Sequence, residues 1–300
     1  MKATSDAEIP DAGASGAQAR SVTTSGSGGA VLDLAPLSFA GGLRAAGRDV
    51  RDGLRLLPLA FALGWLDIRM RYRGSMLGPF WLTISTAVMV AALGFLYATL
   101  FHMTLRDYLP FLSLSLVLWS FLSTVISESA GVFVQESRLI QASRMPFSVY
   151  ACRALIRNAL ILLHNAAVVV VVLLIFRVVP GDLWLLVPAT ALWIVDCMAI
   201  MLCLGLLGAR FRDIPPIVAS LIQVFFFITP IIWRPELVGP MRRWLLLDPF
   251  YPLLSIMRTP LLGESAGLMV WGAALAHSAL LLICASLVFA RFRARIAYWI

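Results

Sequence analysis

The feature that most limits what this chain can become is a change of solvent between Arg69 and Trp81. Three arginines at alternate positions, Arg69, Arg71 and Arg73, lead through Gly74, Ser75, Met76, Leu77, Gly78 and Pro79 into the run from Phe80 to Phe101, where Tyr97 is the sole ionisable side chain before that end. A helix of that length covers the roughly 30 Å of a bilayer's hydrocarbon core, which arginine does not enter cheaply. The arginines therefore mark a membrane surface.

Further apolar runs near 109–134, 154–176, 183–207, 216–233 and 267–290 bring the expected spans to six. With 60% hydrophobic and 13% charged residues, the 300-residue chain reads as one all-α polytopic membrane domain over 37–300. Six crossings put both termini on one side. Sixteen arginines fall on that side, in the arm from Arg44 to Arg73, the second and fourth loops and the C-terminus, against six on the other. Both termini are expected in the cytoplasm. The net charge of +8 thus reads as an orientation signal, and no nucleic-acid partner is expected. Cys152, Cys197, Cys203 and Cys284 lack C-x-x-C spacing and read as small core residues with no metal role.

Residues 1–36, rich in Ser, Gly, Ala and Thr, carry no secretory signal and are expected to be a disordered tail. From 37 to 73 the pattern is that of an amphipathic segment lying on the membrane. Arg44, Arg48, Arg51 and Arg55 run beside an apolar stripe of Leu43, Ala46, Val50, Leu54 and Leu57. Gly47 and Gly53 each weaken this helix by about 1 kcal/mol. Pro58 suits the first turn of a second helix presenting Phe61, Trp65, Ile68 and Tyr72 on one side. Between spans five and six, Met241 to Leu247 and Tyr251 to Leu262 are too short to cross and are separated by Asp248-Pro249. They read either as two re-entrant helices in the outer leaflet or as an interfacial hairpin.

The chain's single lysine is Lys2, so it holds no G-x-x-x-x-G-K-[ST] loop for wrapping nucleotide phosphates. His102, His164, His277, Glu128 and Asp196 are scattered over different helices, and no motif joins them into a catalytic set. Glu128, His164 and Asp196 are intramembrane polar residues, each requiring a partner at such depth. Asp196 is expected to meet His164 or Asn165 as a structural pair, with a proton-relay role as the alternative. Phe80 and Trp81 lie at one interface, Tyr97 and Phe101 toward the other. Tyr97, Phe101, Trp119, Phe225, Phe226 and Phe227 are candidates either to line a channel, where rings stack on sugar faces, or to pack helices. Between spans two and three, Gln135 to Pro146 is a charged, helix-capable segment longer than a hairpin needs, suited to docking another subunit.

Four blocks now carry a resemblance. They are R-Y-R-G-S-M-L-G-P-F-W from Arg71, R-M-P-F-S-V-Y from Arg144, R-F-R-D-I-P-P-I from Arg210 with T-P-I-I-W from Thr229, and D-P-F-Y-P-L-L from Asp248 with L-L-G at Leu261 to Gly263. In order and spacing they resemble the permease subunits of type-2 ABC exporters that move polysaccharides of the O-antigen and capsular group. Asp248 departs from the Asn expected at its block's first position. The resemblance implies a bacterial inner-membrane homodimer with two copies of a separate ATPase that binds ATP and Mg, this chain itself holding no cofactor and no catalytic residue. It implies that Glu136, Arg138, Arg144 and Pro146 belong to a coupling segment seated in the ATPase, and that the fifth loop forms short re-entrant helices at the periplasmic gate. The substrate it implies is a polysaccharide linked to undecaprenyl diphosphate, and Arg69, Arg71 and Arg73 would meet that diphosphate or anchor to lipid headgroups. Two alternatives stand beside it: a permease for a small molecule, lipid or teichoic acid, and a membrane-embedded glycan-modifying enzyme.

Overall fold

The computed structural model describes residues 39–300 apart from 77, 79 and 144. The expected tail at 1–36 and Arg144 of the connecting segment lie outside the described residues.

All regular structure among the described residues is helical. Two helices, α1 (Phe39–Arg55) and α2 (Leu57–Arg71), precede α3 (Phe80–Leu100) and α4 (Leu105–Ser129). The connector is broken into α5 (Val132–Gln135) and α6 (Ser137–Ala142), and α7 (Phe147–Ile175), α8 (Leu186–Arg210) and α9 (Ile214–Ile228) follow. A 3-10 winding over Pro235–Leu247 leads to α10 (Tyr251–Leu261), α11 (Leu268–Phe292) and the short α12 (Ile296–Trp299).

Five helical stretches among the described residues are long and apolar enough to cross a membrane: Phe80–Leu100, Leu105–Ser129, Phe147–Ile175, Leu183–Arg210 and Leu268–Trp299. The expected span at 216–233 is represented by α9, whose 15 residues rise only about 22 Å. Its stop is local chemistry, because Thr229 precedes Pro230 and takes the extended conformation that the proline ring imposes. The third span starts earlier than its apolar run. Arg153 and Arg157, counted as loop residues from sequence, lie inside α7.

The core is built around α4, which packs against α3, α7, α8, α9 and α10. Thr104 caps it, accepting from the Asp107 N–H at 3.2 Å. Its buried hydroxyls find acceptors on their own helix: Ser113 donates to the Pro110 carbonyl, Ser115 to Phe111 and Ser129 to Ile126. That satisfies them where no bulk water is available.

The break at Leu56 and Pro58 near the start of α2 follow the sequence pattern, but the faces that pack do not. On α1 the buried residues are Gly42, Ala46, Asp49 and Gly53, while Leu43 and Leu54 stay exposed. On α2 they are Ala60, Gly64 and Ile68, while Phe61 and Trp65 face out. Small residues win because these helices approach neighbouring backbones closely. A Cβ on Gly53 would stand 2.0 Å from the Ser148 hydroxyl. The displaced leucines instead border an apolar groove between α1, α8 and α11.

In the fifth loop, Asp248 accepts from the Phe250 N–H at 2.9 Å at the start of α10, so the aspartate supplies the turn that the expected Asn would make. The first half of that loop is not a regular α-helix: the 3-10 winding is interrupted at Gly239, with φ 53°.

Gly208 of α8 is the tightest of these approaches, since an added Cβ would lie 1.7 Å from the Ala130 carbonyl oxygen, a backbone atom that cannot swing away. Gly208→Val is expected to cost about 3 kcal/mol or more and to lower the thermal midpoint of the detergent-purified protein by many degrees. Gly47→Ala, with nothing within 4 Å of the new methyl, is expected to be neutral or stabilising by up to about 1 kcal/mol in the same assay.

Candidate functional site

At one end of the bundle three helices are joined by Asp49, which is 2% exposed. Its two carboxylate oxygens accept from the backbone N–H groups of Phe147 at 3.1 Å and Ser148 at 3.0 Å, the unpaired first donors of α7. Arg293, just past α11, donates to the same carboxylate at 2.7 Å, and the Ser148 hydroxyl closes on the Asp49 carbonyl at 2.7 Å. A buried anion at a helix N-terminus, matched by a guanidinium, is compensated twice.

Beside it lies a lattice of charges. Arg153 donates to both oxygens of Asp67 on α2, at 2.6 and 2.8 Å, and to Glu136 of the connector at 2.8 Å. One turn on, Arg157 donates to Glu128 at 2.7 Å and reaches Asp67 at 3.4 Å, and the Asn158 amide donates to Glu128 at 2.7 Å. Arg71 stands 3.9 Å from Glu128. α2, the end of α4, the connector and α7 are thus tied through one set of side chains only 10 to 23% exposed, Arg71 apart at 47%. The lattice is made by fork-shaped donors on the same face of α7, spaced i and i+4.

The sequence-selected residues distribute unevenly over this arrangement. Glu136 sits at the break between α5 and α6 and is held inward by Arg153. Arg138 is exposed on α6, and Pro146 sets the extended entrance to α7. The C-terminus braces the same connector, the Gln141 amide donating to the Ile300 carbonyl at 3.2 Å. Arg69 and Arg73 are exposed and make no ion pair among the described residues, whereas Arg71 reaches into the lattice.

Asp196 does not meet His164 or Asn165. It accepts from Ser278 of α11 at 2.6 Å, which places it on the α8–α11 contact, while the His164 ring lies 2.8 Å from the Leu160 carbonyl and Asn165 accepts from Thr86 of α3. The reason is rotational: the face of α8 bearing Asp196 turns toward α11.

The aromatic residues selected from sequence fall into two clusters. Tyr97 stacks on Phe101, which meets Tyr108 edge-on. Trp119 meets Phe226 at 6.3 Å and Phe250 at 5.5 Å, Phe225 meets Phe250 at 4.9 Å, and Phe226 meets Phe227. Trp119 is 5% exposed and packs inside the subunit, whereas Phe227 is 64% exposed.

Asp49, Asp67, Arg153, Arg157 and Asn158 were not singled out from sequence. Asp49 and Asp67 carry a signal, each being an acid on a helix face otherwise made of small or apolar residues. Arg153 and Arg157 carry one in their four-residue spacing, obscured by assigning them to a loop.

A charged lattice at one end of a bundle of apolar, membrane-length helices defines a multi-pass membrane protein with an interfacial collar. A model of the family described as ABC-2 type transporter matches residues 58–262, from α2 through α10, and the chain belongs to that family of transporter membrane subunits. Among similar proteins are two O-antigen export system permease proteins RfbA of Klebsiella pneumoniae. One is 23% identical over 193 residues, covering 64% of this chain and 74% of the relative, and the other is 22% identical, covering 67% and 82%. The protein of the same name from Myxococcus xanthus is 24% identical over 215 residues, covering 70% and 81%.

If the lattice holds the collar together, Asp67→Asn and Arg153→Gln should each lower the thermal midpoint, and the double variant should lose less than the sum. A double-mutant cycle is expected to return a coupling of about 1–3 kcal/mol; additive losses would mean the two side chains act separately.

Proposed function

We propose that this chain is the transmembrane subunit of an ATP-driven exporter of lipid-linked polysaccharide, working as a homodimer with two copies of a separate ATPase that binds ATP and Mg. The observation that carries this reading is the alignment with O-antigen export permeases over about two thirds of the chain. The reading treats 37–300 as one transmembrane domain following a tail at 1–36. It places the protein in the bacterial inner membrane with both termini in the cytoplasm, and takes α9 with the residues to Trp233 as a short sixth span. α1 and α2 lie on the membrane surface, and the 3-10 winding and α10 dip back into the outer leaflet.

The collar supplies a mechanism for such a subunit. ATPase closure pushes on α6 and its exposed Arg138. Glu136 cannot move without Arg153, and Arg153 cannot move without Asp67 on α2, so displacement of the connector reaches the surface helix. The Arg157–Glu128 pair carries the same displacement to the end of α4. Arg69 and Arg73, exposed beside this lattice, meet the diphosphate of an undecaprenyl-type carrier or anionic headgroups as substrate enters. The outward rings, Phe227 among them, border the path between two copies, where their faces suit stacking on sugars.

Deleting the gene tests the reading. Surface polysaccharide should be lost while lipid-linked glycan accumulates on the cytoplasmic side, and both should be restored by the wild-type gene; unchanged surface glycan would refute it. Replacing Glu136 and Arg138 together by alanine should leave the subunit inserted while export falls at least about tenfold, and copurification with the ATPase should weaken. Full export by that variant would remove the coupling role.

A further inference from the structure

At the opposite end of the bundle a pocket of about 70 Å³ opens between the start of α4, the 3-10 winding, α10 and the start of α11. That is room for roughly five waters or one tetrahedral oxyanion. Arg258 of α10 forms its inner wall and is 3% exposed. Its Nη1 donates to the Ser115 hydroxyl at 2.7 Å and the Pro230 carbonyl at 3.0 Å, and its guanidinium carbon lies 4.1 Å from the centre of the Phe111 ring. No carboxylate comes within ion-pair distance of it among the described residues, where its hydrogen bonds are the two made by Nη1. A guanidinium still protonated at neutral pH is thus enclosed with neutral hydrogen-bond partners. Burial pushes it down to about 10, with Tyr251, Glu264 and Glu236 opposing the shift from farther away.

The other walls repeat the pattern. Arg234 donates one Nη to the Asp107 carbonyl, leaving its Nε buried and without a partner. Arg242 also lines the pocket, and α11 begins at its rim behind Gly267 with no side chain capping its first turn. The acids present, Glu236 and Glu264, are both exposed, and Glu236 stands against Arg242 at 3.8 Å, leaving Arg258 the innermost charge. Buried charge of this kind is ordinarily matched by an opposite charge.

We infer that this pocket binds a small oxyanion, a phosphate ester or a sugar carboxylate, with Arg258 as its floor and Arg234 and Arg242 as its sides. The inference rests on the export reading only for the anion's source, which is then an acidic group on the emerging glycan or carrier; a lipid headgroup presents the same chemistry.

The test uses the full purified chain in phosphatidylcholine nanodiscs, titrated with inorganic phosphate and separately with glucuronate at constant ionic strength, with thermal midpoint as the readout. A saturable rise is expected for the wild type and its loss for Arg258→Gln, which removes the charge. Arg242→Gln, at a half-exposed position, should fold normally and bind about tenfold more weakly or worse. No saturable rise in the wild type, or an unchanged midpoint response in both variants, overturns the site. Should Arg258→Gln fail to fold, wild-type affinity in Arg242→Gln overturns it alone. Repeating the titration with phosphatidylglycerol in the disc separates the sources. Loss of the phosphate response there assigns the pocket to a headgroup, and its persistence assigns it to a soluble or glycan-borne anion. No ATPase or glycan takes part, so failure here leaves the export reading standing, and failure of export leaves this result unaffected.

Discussion

A carboxylate taken out of water must recover its hydration from the protein, and Asp49 does so from three directions at once. It accepts the first free N–H groups of α7, pairs with Arg293 beyond α11, and sits on a stripe of α1 narrow enough to bring all of these within hydrogen-bond reach. The first helix, the longest helix and the end of the last long one are fixed relative to one another by that one side chain. Glycine at 53 is part of the same solution, because the Ser148 hydroxyl occupies the space a side chain would need.

The neighbouring lattice follows from this placement. Once the start of α7 is pinned under α1, Arg153 and Arg157 point toward α2 and the end of α4, where Asp67 and Glu128 wait. Each guanidinium is shared between acids on different elements, and the connector joins only through Glu136. Buried ion pairs add little net stability compared with a well-packed apolar contact, but breaking one partner leaves the other uncompensated. That asymmetry suits a collar that moves as a unit, as the proposed coupling to an ATPase would require. At the far end, Arg258 makes no ion pair among the described residues. The two ends of one bundle therefore solve the problem of buried arginine differently, one with internal acids and the other, as inferred, with a ligand.

Much of the helical layout was legible in the sequence. Apolar run length, the arginines that bound each run, and prolines at 58 and 146 locate most helix starts and stops, because those signals act within a few residues. The exceptions are instructive. Arg153 and Arg157 were assigned to a loop since arginine reads as a surface marker, yet paired arginines extend α7 by two turns into the collar. The apolar stripe of α1 pointed at the wrong partner: in a membrane, leucine gains nothing by choosing protein over lipid, so close backbone approach between small residues decides which face packs.

The sequence by itself determined that this chain spans a membrane several times, that an arginine-bearing segment precedes the first span, and that four ordered blocks resemble polysaccharide-export permeases. These are properties of composition and local pattern, fixed by how each residue partitions between water and hydrocarbon. Only the tertiary structure decided who pairs with whom: Asp196 with Ser278 and not His164, Trp119 inside the subunit and Phe227 outside, Asp67 with Arg153, Arg258 with no ion pair among the described residues. Such choices depend on the rotation of each helix about its axis and on the distance between axes, and a hydropathy pattern that is apolar on nearly every face carries no information about either.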